Sequence, residues 1–125
     1  MKIADPWKQI ITEQFLKTTI RTPSRFSLPP SSQRFLLEQM CRAFPLNKSI
    51  QIRPLRLAGL RAEEIKPETE ATQLILHIHG GAFFLGSMNT HRAFVSDLAA
   101  STQMQVIHLD YPLSPEHPYP EAIDA

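Results

Sequence analysis

The segment HIHGGAFFLGS, residues 77–87, places two of the chain's 4 glycines side by side at the end of an apolar run. Because glycine has no Cβ atom, a ligand can approach the backbone of Gly80 and Gly81 closely, and their N–H groups can point into a cavity. Such donors suit a negatively charged group. This segment is therefore the first candidate site of the chain.

The sequence around this segment predicts a strand–helix–strand unit. TQLILHI (72–78) is a nearly continuous apolar run, typical of a strand covered on both faces, HRAFVSDLAAST (91–102) has a helical pattern, and MQVIHLD (104–110) is again a buried strand. Parallel strands joined by a helix cross over with right-handed geometry, and ligands bind beyond their carboxyl ends. Gly80 and Gly81 follow such an end.

A hairpin is predicted upstream of this unit. SIQIRPLRL (49–57) and LRAEEI (60–65) alternate in polarity and are separated by Ala58 and Gly59, which is typical of two strands joined by a tight turn. Pro54 has no N–H to donate to a ladder, so we expect the first strand at an edge of the sheet. The fold class predicted for this part of the chain is α/β.

Two amphipathic helices are predicted before the hairpin, within residues 1–47. Asp5 is a candidate N-cap of the first, with Pro6 at the first helical position. After a linker rich in Pro and Ser, we expect Ser31 or Ser32 to cap the second. The apolar residues at helical spacing are expected to face the core: Trp7, Ile10, Ile11, Phe15, Phe35, Leu36, Met40 and Phe44.

Composition excludes several classes of partner. The 125 residues fit one domain, and 13 Lys+Arg against 12 Asp+Glu give a formal charge of +1, without a basic patch for nucleic acid or an anionic membrane. No apolar run approaches the roughly 20 residues of a membrane span. Cys41 is the single cysteine, and the first 20 residues lack a signal-peptide pattern, so a reducing, cytoplasmic setting is expected.

Two motifs resemble a known family. HGGAFFLGS (79–87) and LDYPLSPEHPYPEA (109–122) are similar to the HGGG-F and D-Y-R-L-A-P-E-x-P-x-P motifs of the hormone-sensitive-lipase branch of the α/β-hydrolases. The resemblance implies that residues 1–47 form N-terminal cap helices. It also implies that residues 48–125 form the first part of an α/β-hydrolase core, with a hairpin and a parallel strand–helix–strand unit, and that this core is incomplete.

The resemblance also assigns a role to the glycines. In this family a serine attacks an ester, and backbone N–H groups stabilise the charged oxygen of the tetrahedral intermediate. By resemblance, the oxyanion hole lies at the backbone of Gly80, Gly81 and Ala82, where Ala82 replaces the third glycine of the family motif. Pro112 replaces the family's arginine, so any ion pair made by that arginine is absent. The implied substrate is a small-molecule ester.

The chain lacks the rest of such an active site. No serine stands in a G-x-S-x-G elbow, and the acid and histidine that would follow it are missing, so the 125 residues alone are expected to be inactive. They are interpreted as the N-terminal fragment of a serine carboxylic ester hydrolase. The alternatives are a non-catalytic remnant or ligand-binding fragment and, less favoured, a metal-dependent hydrolase using His77 and His79. Glu116 and His117 are interpreted as a solvated turn pair.

We expect neither a cofactor nor a metal. The resemblance places the strand at 73–79 between 104–110 and the strand that carries the nucleophile, which this chain lacks. An unpaired apolar edge recruits other chains, so self-association is expected of the isolated chain.

Overall fold

A computed structural model describes Lys17 and residues 28–125. The helix predicted around Trp7 lies outside the described residues. The order of the described helices and strands is α1 Pro30–Cys41, β1 Ile50–Leu57, β2 Leu60–Pro67, β3 Leu74–Ile78, α2 Met88–Thr102, β4 Gln105–Asp110 and α3 Glu121–Asp124. None of the helices in this part of the chain has the length and apolar content that a membrane crossing requires.

The four strands form one mixed sheet in the order β1-β2-β4-β3. β1 and β2 form the predicted antiparallel hairpin, whose turn residues Ala58 and Gly59 both have positive φ, 50° and 88°, as a tight hairpin turn requires. β2 also pairs antiparallel with β4, and β3 pairs parallel with β4. The predicted α/β fold and its parallel strand–helix–strand unit are therefore confirmed, and Pro54 lies on the strand at one edge.

The core lies on the face of the sheet that packs against α2. Ile65 and Val106, from β2 and β4, are fully buried there with Val95 and Ala99 of α2. Ser87 begins this helix with a capping box, in which its hydroxyl accepts from the Thr90 N–H and the Thr90 hydroxyl accepts from the Ser87 N–H. The crossover helix is therefore held both by its cap and by its apolar face.

The other face of β3 is uncovered. Its apolar run predicted a strand covered on both faces, but Leu74, Leu76 and Ile78 remain 54–61% exposed. Side chains alternate along a strand, and among the described elements α2 packs on one face only. The prediction of burial on both faces is therefore wrong for the described part of the chain.

Helix α1 also differs from its prediction. Pro30 occupies its first position, and no side chain caps it, so neither Ser31 nor Ser32 is the N-cap. The helix ends at Cys41, and the aromatic side chains Phe35 and Phe44, predicted to face the core, are 62% and 49% exposed. Helical periodicity identified the helix but did not reveal how much of its apolar stripe would be covered.

Candidate functional site

The loop at residues 79–86 follows the carboxyl end of β3, where the sequence predicts a ligand site. Gly81, Ala82 and Phe83 all have positive φ, at 132°, 52° and 62°. The Leu85 N–H donates to the Gly81 carbonyl oxygen over 2.8 Å, closing a tight turn. Positive φ is unfavourable for alanine and phenylalanine, so the loop conformation must be held by its surroundings.

The three glycines of this loop have different roles. A Cβ atom on Gly81 would overlap the carbonyl group of Leu85, and one on Gly86 would lie 2.8 Å from the Nδ1 atom of His79. A Cβ atom on Gly80 would meet nothing within 4 Å. Gly81 and Gly86 are therefore required by the turn itself, whereas Gly80 leaves open space beside the backbone.

The candidate N–H donors are available and lie beside a cavity. No described residue accepts a hydrogen bond from the N–H of Gly81 or Ala82. The loop lines a cavity of about 360 Å³, whose other walls are mainly apolar and include Ile78, Leu109 and Ile123. Free backbone donors beside apolar walls suit a ligand that combines a polar oxygen with a short hydrocarbon group.

His79 anchors the start of the loop. Its ring is buried, with Nδ1 3.0 Å from the Gly80 carbonyl oxygen, and stacks on Tyr111 with ring centroids 4.5 Å apart. The Tyr111 hydroxyl donates to the His79 carbonyl oxygen over 2.9 Å. Burial raises the pKa of Tyr111, so this phenol stays protonated and remains a donor. The tyrosine of the second motif therefore holds the first motif in place.

His77 and His79 belong to a cluster of four imidazoles completed by His91 and His108. The His77 and His108 rings meet edge to face at 4.7 Å, and His79 and His91 stack at 5.4 Å. Among the described residues, no group of three or more His, Cys, Asp or Glu side chains is arranged to hold a metal ion. Nothing in this geometry supports the metal-dependent alternative.

Burial determines the charge of three of these imidazoles, His77, His91 and His108. Desolvation, followed by the neighbouring histidines, lowers the pKa of His108 to about 3, and desolvation also lowers the pKa of His77 and of His91. Both ring nitrogens of His108 lack a hydrogen-bond partner within the described structure. These three imidazoles are therefore neutral at neutral pH, and they pack as aromatic side chains.

The second motif is linked to α1 by a residue that sequence analysis missed. The Glu116 Oε2 atom lies 2.8 Å from Nη1 of Arg34, and His117 pairs with Glu121 instead of Glu116. Pro112 stands where the family has arginine, but this turn receives a guanidinium from a different element. Arg34 and Glu116 are 82 residues apart, so no local pattern could reveal the contact.

The described residues do not supply a complete hydrolytic site. No serine hydroxyl in this part of the chain hydrogen-bonds a histidine ring, and the described serine hydroxyls that make contacts serve other roles. Ser87 caps α2, and the Ser96 hydroxyl donates to the Ala93 carbonyl oxygen and accepts from the Asn47 N–H. The candidate site is therefore a set of donors and a cavity without a paired nucleophile.

Known proteins share this architecture. Residues 75–125 match the family described as alpha/beta hydrolase fold. An esterase of Acinetobacter venetianus is 66% identical over 125 residues, which are 100% of this chain and 41% of that esterase. An esterase from the bacterial hormone-sensitive lipase family is 34% identical, with a TM-score of 0.73, over 89% of this chain and 38% of that structure. A structure of EstE5 soaked with p-nitrophenyl butyrate is 32% identical, with a TM-score of 0.82, over 97% and 40% of the two chains.

These similarities confirm the resemblance inferred from the two motifs. The chain spans about two-fifths of the length of these relatives. The chain has the α/β-hydrolase fold, and it is similar to the N-terminal part of esterases of the hormone-sensitive-lipase type.

Proposed function

We propose that the backbone of Gly80, Gly81 and Ala82 forms the oxyanion hole of a serine carboxylic ester hydrolase acting on small or medium acyl esters. The observation that carries this proposal is the pair of unused N–H groups, on Gly81 and Ala82, beside a largely apolar cavity. In the proposed division of the chain, residues 1–47 form N-terminal cap helices and residues 48–125 form the first part of the core.

The proposed contribution to catalysis is electrostatic. Attack on the ester carbonyl converts its oxygen into an anion, and donors that are already fixed lower the energy of that anion without rearranging. The nucleophilic serine, its histidine base and the acid come from polypeptide outside these 125 residues. In this proposal the 125 residues alone do not hydrolyse esters. We also propose a cytoplasmic setting, because Cys41 is the single cysteine of the 125 residues.

The test uses a chimera in which residues 1–125 precede the part of the Acinetobacter venetianus esterase that follows its matching segment. We expect the chimera to hydrolyse p-nitrophenyl butyrate and residues 1–125 alone to remain at the buffer rate. Replacing Ala82 by the corresponding α-hydroxy acid converts its amide into an ester, which removes the N–H and weakens the Gly81 carbonyl oxygen as the acceptor for Leu85. We expect kcat to fall by roughly 10²–10³-fold with little change in KM.

The same backbone replacement at Ala58, in the hairpin turn of the first two strands, is the matched control and should leave kcat unchanged. An unaltered kcat in the Ala82 ester would show that this N–H does not face the developing oxyanion. Chimera activity that a serine-reactive phosphonate does not abolish would contradict the serine mechanism.

We also propose that the 125 residues alone self-associate through β3. This strand is at one edge of the described sheet, and its sequence LILHI contains no Asp, Glu, Lys, Arg or Pro. Leu74, Leu76 and Ile78 add an exposed apolar row on one face. Unpaired strand edges of this kind pair with other chains.

Light scattering and gel filtration test this association. Leu76→Lys places a charge on the exposed row and should shift the chain toward the monomer. Leu57→Lys is the control, because Leu57 is also an exposed leucine on a strand but lies at the opposite edge of the sheet. A concentration-independent monomer without any substitution would refute the proposal.

A further inference from the structure

The side chain of Arg34 links helix α1 to the loop at residues 79–86 (the oxyanion loop). The Arg34 Nε–H donates to the Phe84 carbonyl oxygen over 2.7 Å. Its Nη2 group donates to the Ser114 carbonyl oxygen, and Nη1 forms the ion pair with Glu116. The Arg34 side chain is only 22% exposed, so these three contacts hold most of the guanidinium away from water.

The three acceptors belong to two segments that already touch. Phe84 lies in the oxyanion loop, and Ser114 and Glu116 lie in the turn after β4. The Ser114 N–H donates to the Phe83 carbonyl oxygen over 2.8 Å. Arg34 therefore spans a junction between the loop and the turn, and it binds a backbone carbonyl group on each side.

Only arginine suits this junction. A guanidinium presents five N–H donors in a rigid plane, whereas a lysine ammonium is a single point on a flexible stem. The carboxylate of Glu116 accepts hydrogen bonds from the Glu116 backbone N–H and from the Arg34 guanidinium. These contacts hold the pKa of Glu116 below its usual range, so the carboxylate stays ionised beside the cation. The cation is thereby neutralised while its remaining donors hold two carbonyl groups.

We propose that Arg34 is a positioning residue that holds the oxyanion loop in its donating conformation through the carbonyl group of Phe84. The positive φ values of Ala82 and Phe83 are unfavourable and persist only where neighbouring contacts hold them. Tyr111 anchors the start of the loop, and Arg34 anchors its far side. This inference rests on the proposed function, because the loop must carry the oxyanion donors.

The experiment measures p-nitrophenyl butyrate hydrolysis by the chimera that tests the proposed function. We expect Arg34→Ala to lower kcat by roughly 10–100-fold, since a misplacement of about 1 Å has that effect, and to change KM much less. We expect millimolar guanidinium ions to restore part of kcat in Arg34→Ala and to have no such effect on the unsubstituted chimera. A merely structural role would not produce this rescue.

Three further variants keep the inference falsifiable. Arg34→Lys keeps the positive charge but not the planar set of N–H donors, so kcat should still fall. This variant tests the proposal even if Arg34→Ala does not fold. Glu116→Gln leaves both carbonyl contacts in place and should lower kcat less than Arg34→Lys does. Arg42→Ala is the control, because Gln39, at 3.4 Å, is the only described residue that the side chain of Arg42 hydrogen-bonds.

The outcomes separate the two proposals. An unchanged kcat in the Ala82 ester refutes the oxyanion hole, and the role of Arg34 falls with it. A lowered kcat in the Ala82 ester together with an unchanged kcat in Arg34→Lys refutes the positioning role alone. Equal losses in Arg34→Ala and Arg42→Ala would also overturn it.

Discussion

The stability of the fold should depend on pH through His108. Its ring is fully buried, neither nitrogen has a partner within the described structure, and burial lowers its pKa from 6.5 to about 3. As pH falls below 6.5, the unfolded chain binds a proton that the folded chain takes up only near pH 3. The free energy of unfolding therefore decreases as pH falls through this window and is unaffected above it.

The magnitude follows from the two pKa values. One pKa unit corresponds to about 1.4 kcal/mol. A pH of about 5 is about 1.5 units below the pKa of His108 in the unfolded chain, so the unfolded chain is almost fully protonated at this residue. The free energy of unfolding is therefore about 2 kcal/mol lower than at neutral pH. The lowered pKa values of His77 and His91 act in the same direction and add to this loss.

Urea unfolding followed by circular dichroism, at concentrations where light scattering shows a monomer, measures this loss. His108→Leu has similar volume and no titratable group, and we expect it to remove about 2 kcal/mol of the difference between neutral pH and about pH 5. His117→Gln removes a histidine that is 52% exposed and serves as the control. The reasoning is refuted if His108→Leu shows the same loss as the unsubstituted chain.

Three other tests concern the contacts around the site and the core. Gly81→Ala should lower the melting temperature measured by circular dichroism, because its Cβ overlaps the Leu85 carbonyl group, whereas Gly80→Ala should not; equal effects would contradict the loop geometry. Arg92→Met leaves buried Glu63 without its ion-pair partner and should cost about 3–5 kcal/mol in urea unfolding; an unchanged midpoint would contradict this. Ser87→Ala removes the cap of α2 and should cost about 1 kcal/mol by the same assay; no loss would show that the cap is not needed.

Local patterns predicted the elements of the fold well. The apolar runs of β3 and β4 and the Ala58-Gly59 turn each depend on neighbours in sequence, and the structure has strands and a turn there. Burial could not be predicted in the same way, because it depends on what packs against each face. The first three residues of β3 are all apolar, although their side chains alternate between the two faces of the sheet. The pattern therefore did not distinguish the face that packs against α2 from the exposed face.

The candidate site divides in the same manner. Gly80 and Gly81 were found because their motif is contiguous, although the steric need for Gly81 comes from the backbone of Leu85. Gly86 is also sterically constrained, but its place in the sequence does not reveal this, because its close neighbours are atoms of His79 and Gly80 that only the folded turn brings to it. Contacts of this kind are visible only in three dimensions.

The loop combines features that cannot persist by themselves. The N–H groups of Gly81 and Ala82 have no acceptor among the described residues, and the positive φ of Ala82 and Phe83 adds strain. An unsupported loop would therefore relax to a turn that uses its donors internally. The supports come from the turn after β4 through Tyr111, and from α1 through Arg34. Because these supports lie outside the glycine motif, a chain can carry HGG and still lack a donating loop. Residues far from the motif in sequence are therefore part of what makes it a candidate site.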